Sequence, residues 1–127
     1  MMAEASSVHS VVRIDPQSSV PPFEQIRVGV VNAANSGTLA VGTRMPPVRA
    51  LAEDLGLAAN TVAKAYRQLE QEGVLETRGR HGSFIKAAND SDRALQQAAA
   101  AFASRAHQLG VPASHALKAV KAALDAS

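Results

Sequence analysis

The sequence predicts a mainly α fold with a small β wing: a winged helix-turn-helix domain followed by a two-helix C-terminal dimerisation segment. Three observations carry that expectation. Two short amphipathic patterns follow one another across residues 48–71, a basic stretch bounded by glycines comes directly behind them, and after Ile85 the composition turns abruptly to alanine-rich helix former. The expected organisation is a disordered N-terminus at 1–9, a winged-helix domain at 10–88 and a dimerisation segment at 89–127. Within the middle part the helix-turn-helix falls at about 48–67 and the wing at about 75–87.

Residues 1–9 are small and polar, the composition of a chain end that nothing ties down. Residues 11–14 have the apolar character of a strand, broken by the turn chemistry of Asp15-Pro16-Gln17-Ser18-Ser19. From Pro22 a helix is expected to run to Ser36, with Phe23, Ile26, Val30 and Ala33 on one stripe and Gly37 as its stop. Residues 38–45 read as a loop. Pro46 and Pro47 forbid helix immediately before them, so the next helix starts cleanly after the pair.

In that helix Val48, Leu51, Ala52 and Leu55 recur at i, i+3, i+4 and i+7, which draws one apolar stripe, and Gly56 ends it. After a four-residue turn, a second helix places Val62, Tyr66 and Leu69 on one face and Asn60, Lys64, Arg67, Gln68 and Gln71 on the other. One side packs and the other is polar and basic. Two such helices joined by a short turn form the helix-turn-helix pattern, whose second helix enters the major groove with its N-terminal residues toward base edges. Asn can bond both edge positions of adenine, and Lys can reach guanine acceptors or phosphate. For the two helices alone, a plain helical hairpin with a solvated outer face reads equally well.

The residues behind the second helix tip the balance toward nucleic acid. Gly73 ends that helix, Val74, Leu75 and Thr77 can form a strand, and Arg78-Gly79-Arg80-His81-Gly82 makes a turn before Ser83, Phe84 and Ile85. Glycines there permit positive φ and close approach of the backbone to another surface. Arg78, Arg80 and His81 offer donors to phosphate oxygens or to a minor groove. The bland alternative is a solvated hairpin loop.

On these residues the chain resembles the GntR family of bacterial transcription regulators. The resemblance is carried by Pro22-Phe23-Glu24-Gln25-Ile26, the run PPVRALA at 46–52, Asn60-Thr61-Val62, Ala65-Tyr66-Arg67-Gln68-Leu69-Glu70, Glu72-Gly73-Val74-Leu75 and Gly82-Ser83-Phe84-Ile85. The short tail makes it most similar to the YtrA-like branch. The resemblance implies DNA contacts from Arg49, from Ala58, Ala59, Asn60, Thr61 and Ala63 or Lys64 in the first turns of the recognition helix, and from Arg80, His81 and Gly82 in the wing. The polar face and the basic turn add Arg67 and Arg78 to this set. Pro47 stands where many members have Ser, which removes a hydroxyl and an N–H able to hold phosphate. Ala58 and Ala59 occupy places where members often have Ser or Thr followed by Arg. Alanine can touch a thymine methyl but makes no bidentate guanine bond, worth about 1–3 kcal/mol of discrimination. Base readout is therefore expected from Asn60, Thr61 and Lys64. Arg80 also replaces a common Gly at the wing.

In the tail, Leu95, Ala98, Phe102, Ala106 and Leu109 keep one face, Gly110-Val111-Pro112 breaks the helix, and Ser114 is placed to cap a second helix carrying Leu117, Val120 and Leu124. Neither helix has enough large side chains to close a core alone. Burial against each other and a second copy is expected, with Leu95, Phe102, Leu109, Leu117, Val120 and Leu124 at the dimer interface. The competing arrangement folds them back onto their own winged helix.

Composition sets limits on function. With 127 residues and a net charge of only +2, the sequence has no room for a large catalytic domain, and any nucleic-acid binding rests on where the charges sit. There is no cysteine for a disulfide or thiolate metal site. His9, His81, His107 and His115 have no carboxylate or cysteine partners at ligand spacing, so no metal and no cofactor are expected. No apolar run approaches a membrane span, and a cytoplasmic location is expected. The chain is expected not to be an enzyme but a sequence-specific DNA-binding regulator, a repressor that reads a palindromic operator as a homodimer. A small-molecule effector is left unidentified. The alternative is a winged-helix protein-interaction adaptor with no specific DNA site; an enzyme fused to such a domain would need a cofactor domain that the sequence lacks.

Overall fold

In the computed structural model, which describes residues 8–127, the chain divides at Asn89/Asp90 into two units. The expected disorder of residues 1–7 lies outside the described residues. Residues 8 and 9 depart from that expectation: residues 8–11 form a helical turn in which Val12 N–H donates to Val8 O at 3.1 Å. Val8 and Val12 are both buried, so this turn belongs to the core, and it replaces the start of the strand expected at 11–14. The physical reason is spacing: Val8, Val11 and Val12 recur at i, i+3 and i+4, a helical stripe, and no neighbouring strand among the described residues offers a ladder.

The turn at 15–19 forms as Gln17 N–H bonds the Asp15 carboxylate at 2.9 Å and Ser18 N–H bonds Asp15 O at 3.2 Å. Gln25 straps it to the next helix. Its Oε1 accepts from Asp15 N–H at 2.8 Å, while its Nε2 donates to Asp15 O and to Val20 O.

Helix α1 is Pro22–Ser36, with proline at its first position, where no intrahelical N–H is needed, and Gly37 left-handed behind it. It buries Ile26, Val30 and Ala33, with Phe23 packed at the core's edge. Helix α2, Val48–Leu55, buries Leu51 and Ala52. Gly56 then turns the chain at φ 70°, where its N–H returns to the helix end and a side chain would be strained. Helix α3 is Ala59–Gln71, so the turn between α2 and α3 is one residue shorter than expected. It packs on both α1 and α2, burying Val62, Ala65, Tyr66 and Leu69.

Strands β1, Leu75–Thr77, and β2, Ser83–Ile85, pair antiparallel with Leu75 opposite Ile85 and Thr77 opposite Ser83. Leu75 and Ile85 point into the core with Leu39 and Met45. The stretch read as a loop at 38–45 is more ordered than expected. Arg44 bridges Phe84, flanked by Met45 N–H to Ser83 O at 2.8 Å and Ile85 N–H to Thr43 O at 2.9 Å. The wing is thereby tied to the segment that leads into α2.

The second unit is a helical pair, α4 (Asp90–Gln108) and α5 (Ala113–Asp125). Ser114 does not cap α5. Pro112 already supplies the extended residue and the carbonyl that His115 and Ala116 N–H bond at 3.1 and 3.0 Å, which puts Ser114 inside the first turn. Among the described side chains of this unit none is buried.

Candidate nucleic-acid interface

Helix α3 is held against its supports by contacts away from its polar face. The buried Tyr66 hydroxyl donates to Pro46 O at 2.6 Å, and burial pushes the phenol pKa well up, so the group stays a neutral donor. At the other end Arg27 of α1 bonds Glu24 at 2.6 and 2.8 Å and Glu72 at 3.0 and 3.2 Å, tying α1 to the residue directly after α3. This pairing holds the Glu24 carboxyl below its ordinary range and raises Arg27 further above its own. Thr77 Oγ1 donates to Glu70, which links β1 to α3. Helix α3, the start of α2 and the wing thus form one supported frame.

Both helices of the motif begin without a side-chain cap. Pro47 precedes α2 and Ala58 precedes α3, and neither side chain can accept from the first backbone N–H groups, although Ala58 O takes the Thr61 N–H at 3.1 Å. Such N–H groups, at the positive end of the helix dipole, suit a phosphate oxygen. Beside them Arg49, Ala58, Ala59 and Asn60 are exposed and Thr61 is half-buried. Arg67 is exposed on the next turns of α3. Neither Arg49 nor Arg67 has an acidic partner among the described residues.

Two of the expected contact residues are engaged within the protein. The Lys64 ammonium lies 3.9 Å from the centre of the Phe23 ring, turned toward α1. Reaching a base would cost it a cation–π contact of about 0.5–1 kcal/mol. Arg78 sits over Phe84 at 4.4 Å and reaches Glu76 at 3.4 Å, so it braces the wing's base. Arg80 and His81, by contrast, are exposed at the tip.

The tip itself is a short 3₁₀ turn, Gly79–His81, closed by Arg78 N–H to Gly82 O at 2.8 Å and His81 N–H to Arg78 O at 3.0 Å. Gly82 has φ 101°, a conformation that L side chains rarely adopt. Between the tip and the start of α2 runs a groove of about 320 Å³, lined by Arg44, Pro47, Val48, Tyr66, Arg80 and Gly82. Of the expected site residues, Arg80 and Gly82 of the wing line this cleft, and Pro47 and Val48 at the start of α2 face them across it. Arg44 joins them unannounced by any local pattern, because only the bridge to Phe84 brings it there.

In the helical pair, Leu95, Phe102, Leu109, Leu117 and Leu124 are all exposed, Leu95 and Leu117 by 72% and 70%, and Val120 is half-buried. A small apolar hollow of about 220 Å³ opens between α4 and α5, lined by Phe102, Leu109, Val111 and Ala119. No group of His, Cys, Asp or Glu among the described residues could hold a metal ion, and no helix there is long and apolar enough to cross a membrane.

Known proteins share this organisation. Residues 22–85 match the family described as bacterial regulatory proteins, gntR family. The HTH-type transcriptional regulator Rv1152 of Mycobacterium tuberculosis is 44% identical over 84% of this chain and 88% of its own length. The HTH-type transcriptional repressor YtrA of Bacillus subtilis is 40% identical over 59% of this chain and 58% of its own length. Among solved structures, YtrA from Sulfolobus acidocaldarius, a GntR-family transcription factor, superposes with a TM-score of 0.59 at 29% identity, covering 73% of this chain and 98% of that one.

Proposed function

The chain belongs to the GntR family of bacterial regulatory proteins and is a transcriptional regulator with a DNA-binding domain, and on that premise we propose that it is a repressor binding a palindromic operator as a homodimer. The observation that carries the reading is the shared cleft: the uncapped start of α2 and the Arg80 tip of the wing border one groove, which Tyr66 of α3 also lines. In this reading α3 enters the major groove, with Asn60 and Thr61 toward base edges and Ala58 and Ala59 against thymine methyls. Lys64 and Arg67 follow along the helix, Arg49 takes phosphate at the start of α2, and Arg78, Arg80, His81 and Gly82 carry the wing along the minor groove.

Dimerisation rests on the tail. Leu95, Phe102, Leu109, Leu117, Val120 and Leu124 leave an apolar face on a helical pair that buries none of its described side chains, and a second copy of the same face would cover it. Two recognition helices on one duplex then bind jointly, which multiplies a modest half-site affinity. Repression agrees with the naming of the YtrA relative.

The reading is tested by selecting bound duplexes from a random pool with the purified full chain. An inverted repeat with half-sites about one helical turn apart, roughly 10 base pairs, is expected. The selected site placed over a promoter in a reporter strain should lower expression when the protein is made. Recovery of the input pool without enrichment would overturn specific regulation and favour an adaptor role, and enrichment of a single half-site would overturn the dimeric operator.

A further inference from the structure

Arg44 is fixed by its backbone and aimed by a glycine. The bridge to Phe84 and its two flanking hydrogen bonds hold its main chain against β2. Its side chain crosses Gly82: a Cβ built on that glycine would stand 3.3 Å from Arg44 Nε and 3.7 Å from Nη2. The guanidinium therefore occupies the space that a side chain at 82 would need. It is exposed, it has no acidic partner among the described residues, and it lines the groove between α2 and the wing tip.

A helix in the major groove and a wing in the adjacent minor groove are separated by one sugar-phosphate strand. That strand must run through the cleft between the two protein elements. The cleft here is lined by Arg44 and Arg80 as cations together with Pro47, Val48 and Tyr66, which suits a backbone that alternates phosphate with less polar sugar. A guanidinium is planar and presents parallel N–H donors that match two phosphate oxygens, and one already laid against a backbone surface loses less freedom on binding.

We infer that Arg44 is a phosphate-binding residue of this interface, its guanidinium laid across Gly82 to take a phosphodiester of the strand that separates the major groove from the minor. The assignment rests on the DNA-binding reading above. It adds sequence-independent affinity, and a side chain at residue 82, already strained by its φ of 101°, would also push the guanidinium aside by a few tenths of an ångström.

Binding of the full chain to a random-sequence duplex of about 30 base pairs, titrated over a series of salt concentrations, tests it without knowledge of the operator. For Arg44→Gln the affinity should fall about tenfold and the slope of log K against log salt should shrink by about 0.9, the loss of one phosphate contact. Arg44→Lys should recover most of the slope, because the charge returns without the fork. Lys118→Gln, which removes an equal charge from the exposed surface of α5, should change the affinity by less than about twofold and leave the slope within about 0.2 of wild type. Circular dichroism should show all three folded. An unchanged slope in folded Arg44→Gln, with wild-type binding intact, overturns the assignment alone, as does an equal loss in Lys118→Gln, which would make it a matter of net charge. Wild-type protein that binds no duplex overturns the DNA-binding reading and Arg44 with it.

Discussion

The two units use apolar side chains in opposite ways. Up to Asn89, large aliphatic residues from every element converge: Ile26 and Val30 of α1, Leu51 of α2, Val62 and Leu69 of α3, Leu75 and Ile85 of the wing are all at most 2% exposed. In the second unit the large apolar residues are few, and five of them stand open to solvent. The first unit closes its own core. The second is a helix pair with a face left over, and its alanines bring little area to bury per residue. The DNA-binding part is thus self-sufficient, and the face left over on the helix pair is where the proposed second copy would dock.

The sharpest way to break that contrast is to remove one leucine from each unit. Leu69→Ala deletes a fully buried side chain where α3 meets the core and should cost about 2–5 kcal/mol, read as a large drop in Tm or in the urea midpoint. Leu117→Ala, at 70% exposure, should leave the unfolding of the first unit within about 0.5 kcal/mol of wild type. Comparable losses from both would mean that the helical pair shares in one cooperative core.

The same contrast marks what is legible in the sequence. The helices, their stops and the hairpin are legible because each depends on local signals: the i, i+3, i+4 stripe, the glycine behind it, the proline ahead of it. The turn at 8–11 obeys the same rule, with its stripe beginning at Val8 rather than at Val11. The cap expected at Ser114 fails because the hydroxyl comes two residues after Pro112, which already provides the extended conformation a helix start needs. The remaining surprises are long-range. Phe23 under Lys64, Phe84 under Arg78 and Arg44 across Gly82 each join residues from different elements, and no spacing rule announces them. They alter the chemistry of the interface more than its outline, since they divide its cations into those held by the protein and those left open to DNA.

A smaller effect, confined to association, tests the second unit. Phe102 lies beside the apolar hollow between α4 and α5 and is 41% exposed. Phe102→Asp would place an unpaired carboxylate in the proposed dimer face and should weaken self-association by about 3 kcal/mol, roughly a hundredfold in dissociation constant. Sedimentation should show dimer turning to monomer while far-ultraviolet circular dichroism is kept. Affinity for an inverted repeat should fall and affinity for a single half-site should not. An unchanged mass in solution would place the dimer elsewhere or remove it.

The smallest effect concerns the clamp that steadies α3 from behind. Arg27 bonds both Glu24 and Glu72, and the Glu24 carboxyl is held below its ordinary value of 4.5 chiefly by its hydrogen bond to Arg27. A carboxyl whose pKa is depressed on folding binds its proton less readily in the folded state than in the unfolded one. Its contribution is therefore complete above the ordinary value, and it is lost as pH falls through the lower, folded value. In Glu24→Gln nothing titrates at that position, so the acid branch of the stability curve should be flatter than in wild type, while Tm near neutral pH drops only slightly because the pair is half-buried at the surface and Arg27 keeps Glu72. Thermal melts of both proteins from about pH 7 to about pH 3 make the comparison. Parallel curves would mean that the clamp contributes nothing pH-dependent, and that α3 is positioned by Tyr66 and the buried core without help from its charged end.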